Sequence, residues 1–228
     1  LLKSALSYCA DSDGRFDITM GAAVQLWDLR RAIIPSQDAL REAVAHVDWR
    51  GVRVWGAGGR HFAQLVDPQA AVDVGGIAKG WIADRFTNAL VEAGLENFLI
   101  NLGGNVVAHG EKPGGAAWNI GIRDPRNEGA IVGAMPIRNA STVTSGIYER
   151  CCEVSGKFYH HILSPETGMP VETDVAGVTV VADRSIDAEG YSTTLLALGT
   201  ARGLAFAREH PAIRKAIFVT RNGDVLES

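Results

Sequence analysis

Apolar residues recur at helical spacing at the start of the chain, Leu1, Leu2, Ala5, Leu6 and Cys9, and the run breaks at "DSDG". The spacing predicts a buried helix capped at its C-terminal end by Gly14. Phe16 to Thr19 reads as a short extended piece that turns helical through Leu26 and Trp27. Pro35, Ser36 and Asp38 open another helix over "SQDALREAVAHV", with Ser36 as its N-cap. From Trp49 to Asp73 the pattern shortens to strands at "VRVWG", "HFAQLVD" and "AVDVGG". A longer helix follows over "GIAKGWIADRFTNALVEAG", with Ile77, Trp81, Ile82, Phe86, Leu90 and Val91 on one apolar face and Gly94 at its end.

Beyond it, "NFLINLGGNVVAHG" reads as a buried strand, a glycine turn and a second strand, and "WNIGIRDP" as one more. Strands at "IVGAMPIRN", "STVTSG", "YHHIL" and "GVTVVAD" precede a helix at "AEGYSTTLLALG" that extends towards "ARGLAFAREH". The final stretch "KAIFVTRNGDVLES" turns at Asn222-Gly223, a hairpin signal. No repeat, low-complexity segment or linker interrupts this order. The expectation is an α+β protein with a mixed or antiparallel sheet, one compact unit over residues 1–228.

Composition agrees: 46% of residues are hydrophobic and 21% charged, enough to bury a sizeable core. A net charge of −4 without any Lys/Arg run gives no general attraction to nucleic acid or anionic membrane, so an anionic ligand has to be bound locally. Cys9, Cys151 and Cys152 form an odd set without C-x-x-C spacing, which indicates neither a disulfide framework nor a structural zinc site. Leu6 stands three residues before Cys9 as in a lipoprotein signal, but Tyr8 is bulky where a small residue belongs. The opening therefore reads as a fragment boundary or a processed end. No apolar run approaches the roughly 20 residues that span a bilayer.

Polar residues gather where these elements join. "VDVGGIAKG" sets Asp73 at a strand end, two glycines at a turn and Lys79 in a helical first turn. Free N–H donors, a positive dipole end and close backbone approach suit a phosphate or pyrophosphate there, and also suit plain helix–sheet packing. It is not a Walker loop, because Lys79 precedes Gly80 and no Ser or Thr follows. "NLGGN" leaves the same choice between a tight turn and room for a flat ligand. In "DAEGYSTTLLALG", Glu189 and Thr193 lie four apart on one helix face, hard oxygen donors of the kind Mg²⁺ prefers, with Asp187 as a second carboxylate. A dipole-favoured acidic helix start explains the same residues. In "YHHIL", strand alternation sends His160 and His161 to opposite faces, so they do not chelate one ion together; at most one serves a site as a proton acceptor, and a histidine bonded only to neighbouring backbone explains the same residues.

Taken in order, "FDITMG…LW", "VDVGGIAKGWIAD", "INLGGNV", "WNIGIRDP", "TVTSGIYER", "YHHILSPETGMPV" and "AEGYSTTLLALG" resemble the ApbE family of FAD:protein FMN transferases, from about Asp13 to about Gly199. The resemblance implies the family's α+β flavin transferase fold, with FAD in a cleft between two intertwined parts. Residue by residue it implies that Phe16, Asp17, Asp73 and Lys79 contact FAD, and that His161 and Ile162 face the flavin nucleotide. It places the backbone of Gly76 towards a metal held by Glu189 and Thr193, and Thr144, Ser145 and Gly146 near the same cleft. The family usually has Asp at the position of Glu189, one methylene shorter, which makes Asp187 a possible substitute ligand. Family members also carry residues ahead of the position of Leu1, including an export or lipid-anchor segment. The expectation is a chain without that N-terminal part, working in the cell envelope.

The activity implied is Mg²⁺-dependent transfer of FMN from FAD to a Thr or Ser hydroxyl of a target protein, an electron-transfer component, with AMP as the leaving group and His161 or a carboxylate of the site as base. The alternatives are an FAD pyrophosphatase yielding FMN and AMP, and a non-catalytic FAD-binding protein.

Overall fold

The computed structural model describes residues 1–127 and 129–228. In chain order they form α1 (Leu2–Asp11), α2 (Gly21–Val24), α3 (Gln37–Val44), β1 (Val52–Ala57), β2 (Arg60–Leu65), α4 (Ala78–Glu92), β3 (Phe98–Leu102) and β4 (Asn105–His109). Then follow β5 (Trp118–Arg123), β6 (Ile131–Ile137), β7 (Ala140–Gly146), β8 (Cys151–Val154), β9 (Lys157–His160), β10 (Val175–Ala182), α5 (Ser185–Glu209), β11 (Lys215–Thr220) and β12 (Val225–Glu227). All strand pairs are antiparallel, so the α+β expectation is met with the antiparallel form of sheet. Two units emerge, each assembled from two chain segments: Leu1–Val74 with Ile147–Glu172, and Gly75–Gly146 with Thr173–Ser228. Among the described residues no helix is long and apolar enough to cross a membrane.

The first unit follows its capping signals. Gly14 donates its N–H to the Cys9 carbonyl and closes α1, and the Ser36 hydroxyl accepts the Ala39 N–H and opens α3. Met20, Ala23 and Ala43 form a small core with Leu26, Val44 and Leu163 packed on it. Burial pushes the Cys9 thiol up to about 12, which makes it an inert core residue. Two expected strands change here. "AVDVGG" makes only a bridge from Ala71 to Met20 and an Asp73 N–H bond to the Ile18 carbonyl before turning at Gly75-Gly76. The strand through "YHHIL" stops at His160, because the Ile162 N–H donates to His160 Nδ1 rather than to a ladder. The β8–β9 hairpin before it carries no clear sequence pattern.

The second unit is built on a six-stranded sheet in the order β12-β11-β10-β7-β4-β3. Every residue of β10 is buried, which explains why "VAGVTVVA" reads as a continuous apolar run instead of an alternation. Helix α5 packs on β10, β7 and β11. Ala108, Ala140 and Val181 meet Ile120 and Ile137 of the β5–β6 hairpin in a second cluster. Gly103 and Gly104 form the two-residue turn between β3 and β4, the tight-turn reading of "NLGGN".

Helix α4 departs from its sequence pattern. Ile82, Phe86 and Val91 are exposed, while Gly80 and Ala83 are buried. The packing face is the small-residue one, because α4 approaches α5 so closely that a Cβ on Gly80 would lie 2.6 Å from the Ser185 carbonyl oxygen. Large apolar side chains do not fit that gap, so they fall outside it.

Helix α5 itself is broken at Gly199, with φ 76° and ψ 174°. That conformation is open only to glycine. The break is stitched from outside: the Thr173 hydroxyl donates to the Leu196 carbonyl at 2.8 Å, and the Thr200 N–H donates to Asp174 Oδ1 at 3.0 Å. The Thr200 hydroxyl also donates to Asp174 Oδ2.

Two outcomes follow. Gly199→Ala should lower the urea unfolding free energy by about 1–3 kcal/mol, since the new Cβ would also lie 2.9 Å from Asp174 Oδ1. Burial pushes the Asp174 carboxyl up, but the Thr200 hydroxyl and N–H outweigh it and hold the group below its usual range. A depressed carboxyl stabilises the fold above its unfolded value and loses that contribution as pH falls through the folded one. Unfolding midpoints taken from neutral pH down through the ordinary Asp range should therefore fall less steeply for Asp174→Asn than for the native chain; equal slopes would remove the assignment.

Candidate functional site

The residues singled out by sequence fall into two groups, one in each unit. The first unit holds Phe16, Asp17, Asp73, His161 and Ile162; the second holds Gly76, Lys79, Asp187, Glu189 and Thr193.

In the first unit the two histidines have different environments. His160 is 1% exposed and ties two backbone groups, accepting the Ile162 N–H at Nδ1 and donating from Nε2 to the Val171 carbonyl at 3.2 Å. It fixes the turn that follows β9. His161 lines a cavity of about 410 Å³ together with Trp27, Leu29, Tyr148, Arg150 and Leu163. Its Nδ1 lies 3.3 Å from the Arg150 carbonyl oxygen. A carbonyl only accepts, so Nδ1 carries a proton, and in the neutral ring Nε2 is the nitrogen that accepts one. Trp27 is held against the same wall by an Nε1–H bond to the Gly168 carbonyl at 3.0 Å, which gives the "SPETG" turn its part in shaping the cavity.

The Asp17 carboxylate serves the backbone around it. Asp17 Oδ1 accepts the Thr19 N–H at 2.8 Å and its hydroxyl at 2.6 Å, and Oδ2 accepts the Trp49 N–H at 3.2 Å. Phe16 and Ile162 are buried side chains. Asp73 is half-buried, and its backbone joins the strand-like stretch at Ile18.

In the second unit α4 and α5 cap each other. Asp84 of α4 accepts the Ser185 N–H at 2.6 Å and the Ile186 N–H at 3.1 Å, satisfying two orphan donors at the start of α5. Glu189 of α5 returns the favour: its Oε2 accepts the Gly80 N–H in the first turn of α4. Asn105 Oδ1 accepts the Ser185 hydroxyl at 2.7 Å and fixes the same corner from β4. Burial pushes the Asp84 carboxyl above its usual range, and the two N–H bonds and the Arg184 charge pull it back only partly.

Glu189 is 3% exposed, and its second oxygen, Oε1, faces Lys79 Nζ at 2.6 Å. Asp187 lies two residues earlier with Arg184 Nε at 3.8 Å, and Thr193 is half-buried one turn further along α5. Thr144 and Ser145 spend their hydroxyls inside the unit, on Thr179 at 2.8 Å and Ser192 at 2.8 Å.

Among the described residues no cluster of three or more His, Cys, Asp or Glu side chains is placed to hold a metal ion. The donors present are nonetheless all hard oxygens, and one of them is a buried carboxylate. That set suits a cation that keeps several waters or phosphate oxygens, as Mg²⁺ does, provided Lys79 releases Oε1.

Sequence reasoning marked Lys79 and Glu189 separately and missed their pairing. It also missed Asp84, which shares a helix face with Gly80 at i, i+4 spacing, and the cavity residues around His161, which come from separate stretches of chain.

The fold is that of flavin transferases of known structure. Over 100% of this chain it matches 74% of the ApbE protein of Thermotoga maritima with a TM-score of 0.89 at 29% identity. It matches 70% of the apo flavinyl transferase ApbE of Pseudomonas stutzeri at 0.81 and 30% identity. The sequence profile of the ApbE family matches residues 1–218, and the chain belongs to that family. Among its relatives are an FAD:protein FMN transferase of Treponema pallidum, 40% identical over 235 residues, and one of Klebsiella pneumoniae, 36% identical over 231 residues. The alignments take in 96% and 100% of this chain, and 64% and 70% of the two relatives.

Asp84→Ala should lower stability by about 1–3 kcal/mol, because it strands two N–H donors at a partly buried helix start. Urea unfolding checks this; a loss under half a kilocalorie would mean that water replaces the carboxylate.

Proposed function

We propose that this chain transfers FMN from FAD to a Thr or Ser hydroxyl of a target protein and releases AMP. The support is its membership of the ApbE family together with one observation, the placement of His161 on the cavity wall in the tautomer whose Nε2 is basic. In this reading the acceptor is an electron-transfer protein of the cell envelope.

The acceptor oxygen bonds to the phosphorus on the FMN side as the bond from that phosphorus to the bridging oxygen breaks. AMP leaves with the bridging oxygen, and the hydroxyl proton passes to His161 Nε2. A neutral hydroxyl is a poor nucleophile at pH 7, which is why a base beside it matters. The Arg150 carbonyl holds the ring in the proton-accepting tautomer. His160 keeps the neighbouring backbone in place and takes no part in proton transfer. Lys79 in the first turn of α4 offers a positive charge to the pyrophosphate. Glu189, Thr193, Asp187 and the backbone of Gly76 would hold Mg²⁺, which supplies charge neutralisation for the pyrophosphate.

The test is to incubate the protein with FAD, Mg²⁺ and a Thr-bearing acceptor, and to follow acceptor mass and AMP. One FMN phosphoryl adduct per AMP is expected, and His161→Gln should slow the reaction by about 10²–10⁴-fold. Neither adduct nor AMP would reject the reading, and AMP without adduct would make the chain a pyrophosphatase.

A further inference from the structure

Glu189 combines two properties that seldom coexist in a structural ion pair. Its carboxylate is nearly sealed from solvent, yet Oε1 meets no aligned hydrogen-bond donor among the described residues. What faces that oxygen is a charge, Lys79 Nζ at 2.6 Å. The lysine side chain is 51% exposed, so its ammonium reaches the carboxylate from the solvent side on a flexible four-carbon stem. The carboxylate has no such freedom. Oε2 is held by the Gly80 N–H, and α5 is anchored at its start by Asp84 and Asn105. A fixed acid oxygen therefore has a displaceable partner.

We propose that Lys79 is an internal stand-in for a divalent cation: its ammonium neutralises Glu189 while no cation is bound, and a cation arriving at Oε1 displaces it into solvent. This rests on the reading above in which Glu189 is a cation ligand. A buried carboxylate left without a counter-charge is strongly unfavourable, which is why a resident cation is needed at all. Two positive charges crowded on one poorly solvated oxygen repel each other, so occupancy by one excludes the other. Cation affinity is then reduced by the fraction of time that Lys79 holds Oε1. The exchange has a second effect, because the expelled ammonium becomes available to an anion such as a pyrophosphate when the cation binds. Lys79 is thus a positioning residue that orders the two binding events.

The experiment uses Mn²⁺ alone, without flavin or acceptor. In the native chain, saturating Mn²⁺ should raise the rate at which an amine-reactive ester labels Lys79 several-fold, read by peptide mass spectrometry, while Lys3 and Lys157 stay unchanged, because the displaced amine is no longer held against a buried carboxylate. Titrations that follow the free Mn²⁺ signal by electron paramagnetic resonance should give Lys79→Met and Lys79→Gln at least about tenfold tighter binding than the native chain. Labelling that is unchanged or falls with Mn²⁺ overturns the exchange, as does equal or weaker binding by both variants. The labelling arm needs no variant to fold. Because neither arm contains FAD, failure of the flavin-transfer reading leaves both results standing, and intact flavin transfer with a failed exchange discards the role of Lys79 alone.

Discussion

The second unit depends on one steric constraint, the contact of α4 and α5 at Gly80, where the Ser185 carbonyl leaves no room for a side-chain carbon. At that separation the backbone of each helix start lies within reach of a carboxylate on the other. Asp84 and Glu189 use this proximity to satisfy donors that a helix cannot satisfy by itself. The same closeness buries Glu189, and burial gives its charge chemical weight. A carboxylate at the surface would need no lysine beside it; this one does. Packing, capping and the candidate cation chemistry therefore have a common origin.

The first unit reaches its candidate chemistry by a different route. A buried histidine with both ring nitrogens on backbone groups stiffens the turn after β9, and its neighbour in sequence is thereby set on a cavity wall. Of the pair "HH", one histidine holds backbone groups and its neighbour lines the cavity. Trp27, from the other chain segment of the unit, braces the cavity through its bond to the Gly168 carbonyl.

Much of this was legible in the sequence because it is local. Ser36 as a cap, Gly14 as a terminator and the Asn222-Gly223 turn each act within a few residues, and the structure uses all three. Alternation alone separates His160 from His161, although the strand ends sooner than the pattern implies. The face of α4 was misread because periodicity tracks large apolar side chains, whereas a close helix pair is selected by small ones. The residue types are visible in "VDVGGIAKG" and "DAEGYSTT", and the family resemblance implies roles for them. Their pairing is not, since Lys79 and Glu189 lie far apart in the chain and no local rule couples them.

The break in α5 has a dynamic consequence. Helical hydrogen bonds pass strain and fraying along a ladder, and at Gly199 that ladder is interrupted while Thr173 and Asp174 secure the two ends. The half that carries Glu189 and Thr193 is mostly buried, and the half after Gly199 is largely not. The two halves should therefore open separately in amide hydrogen exchange, the outer one through small local fluctuations. The inner one would be insulated from that motion, with the carboxylate keeping its position as the surface end of its own helix frays.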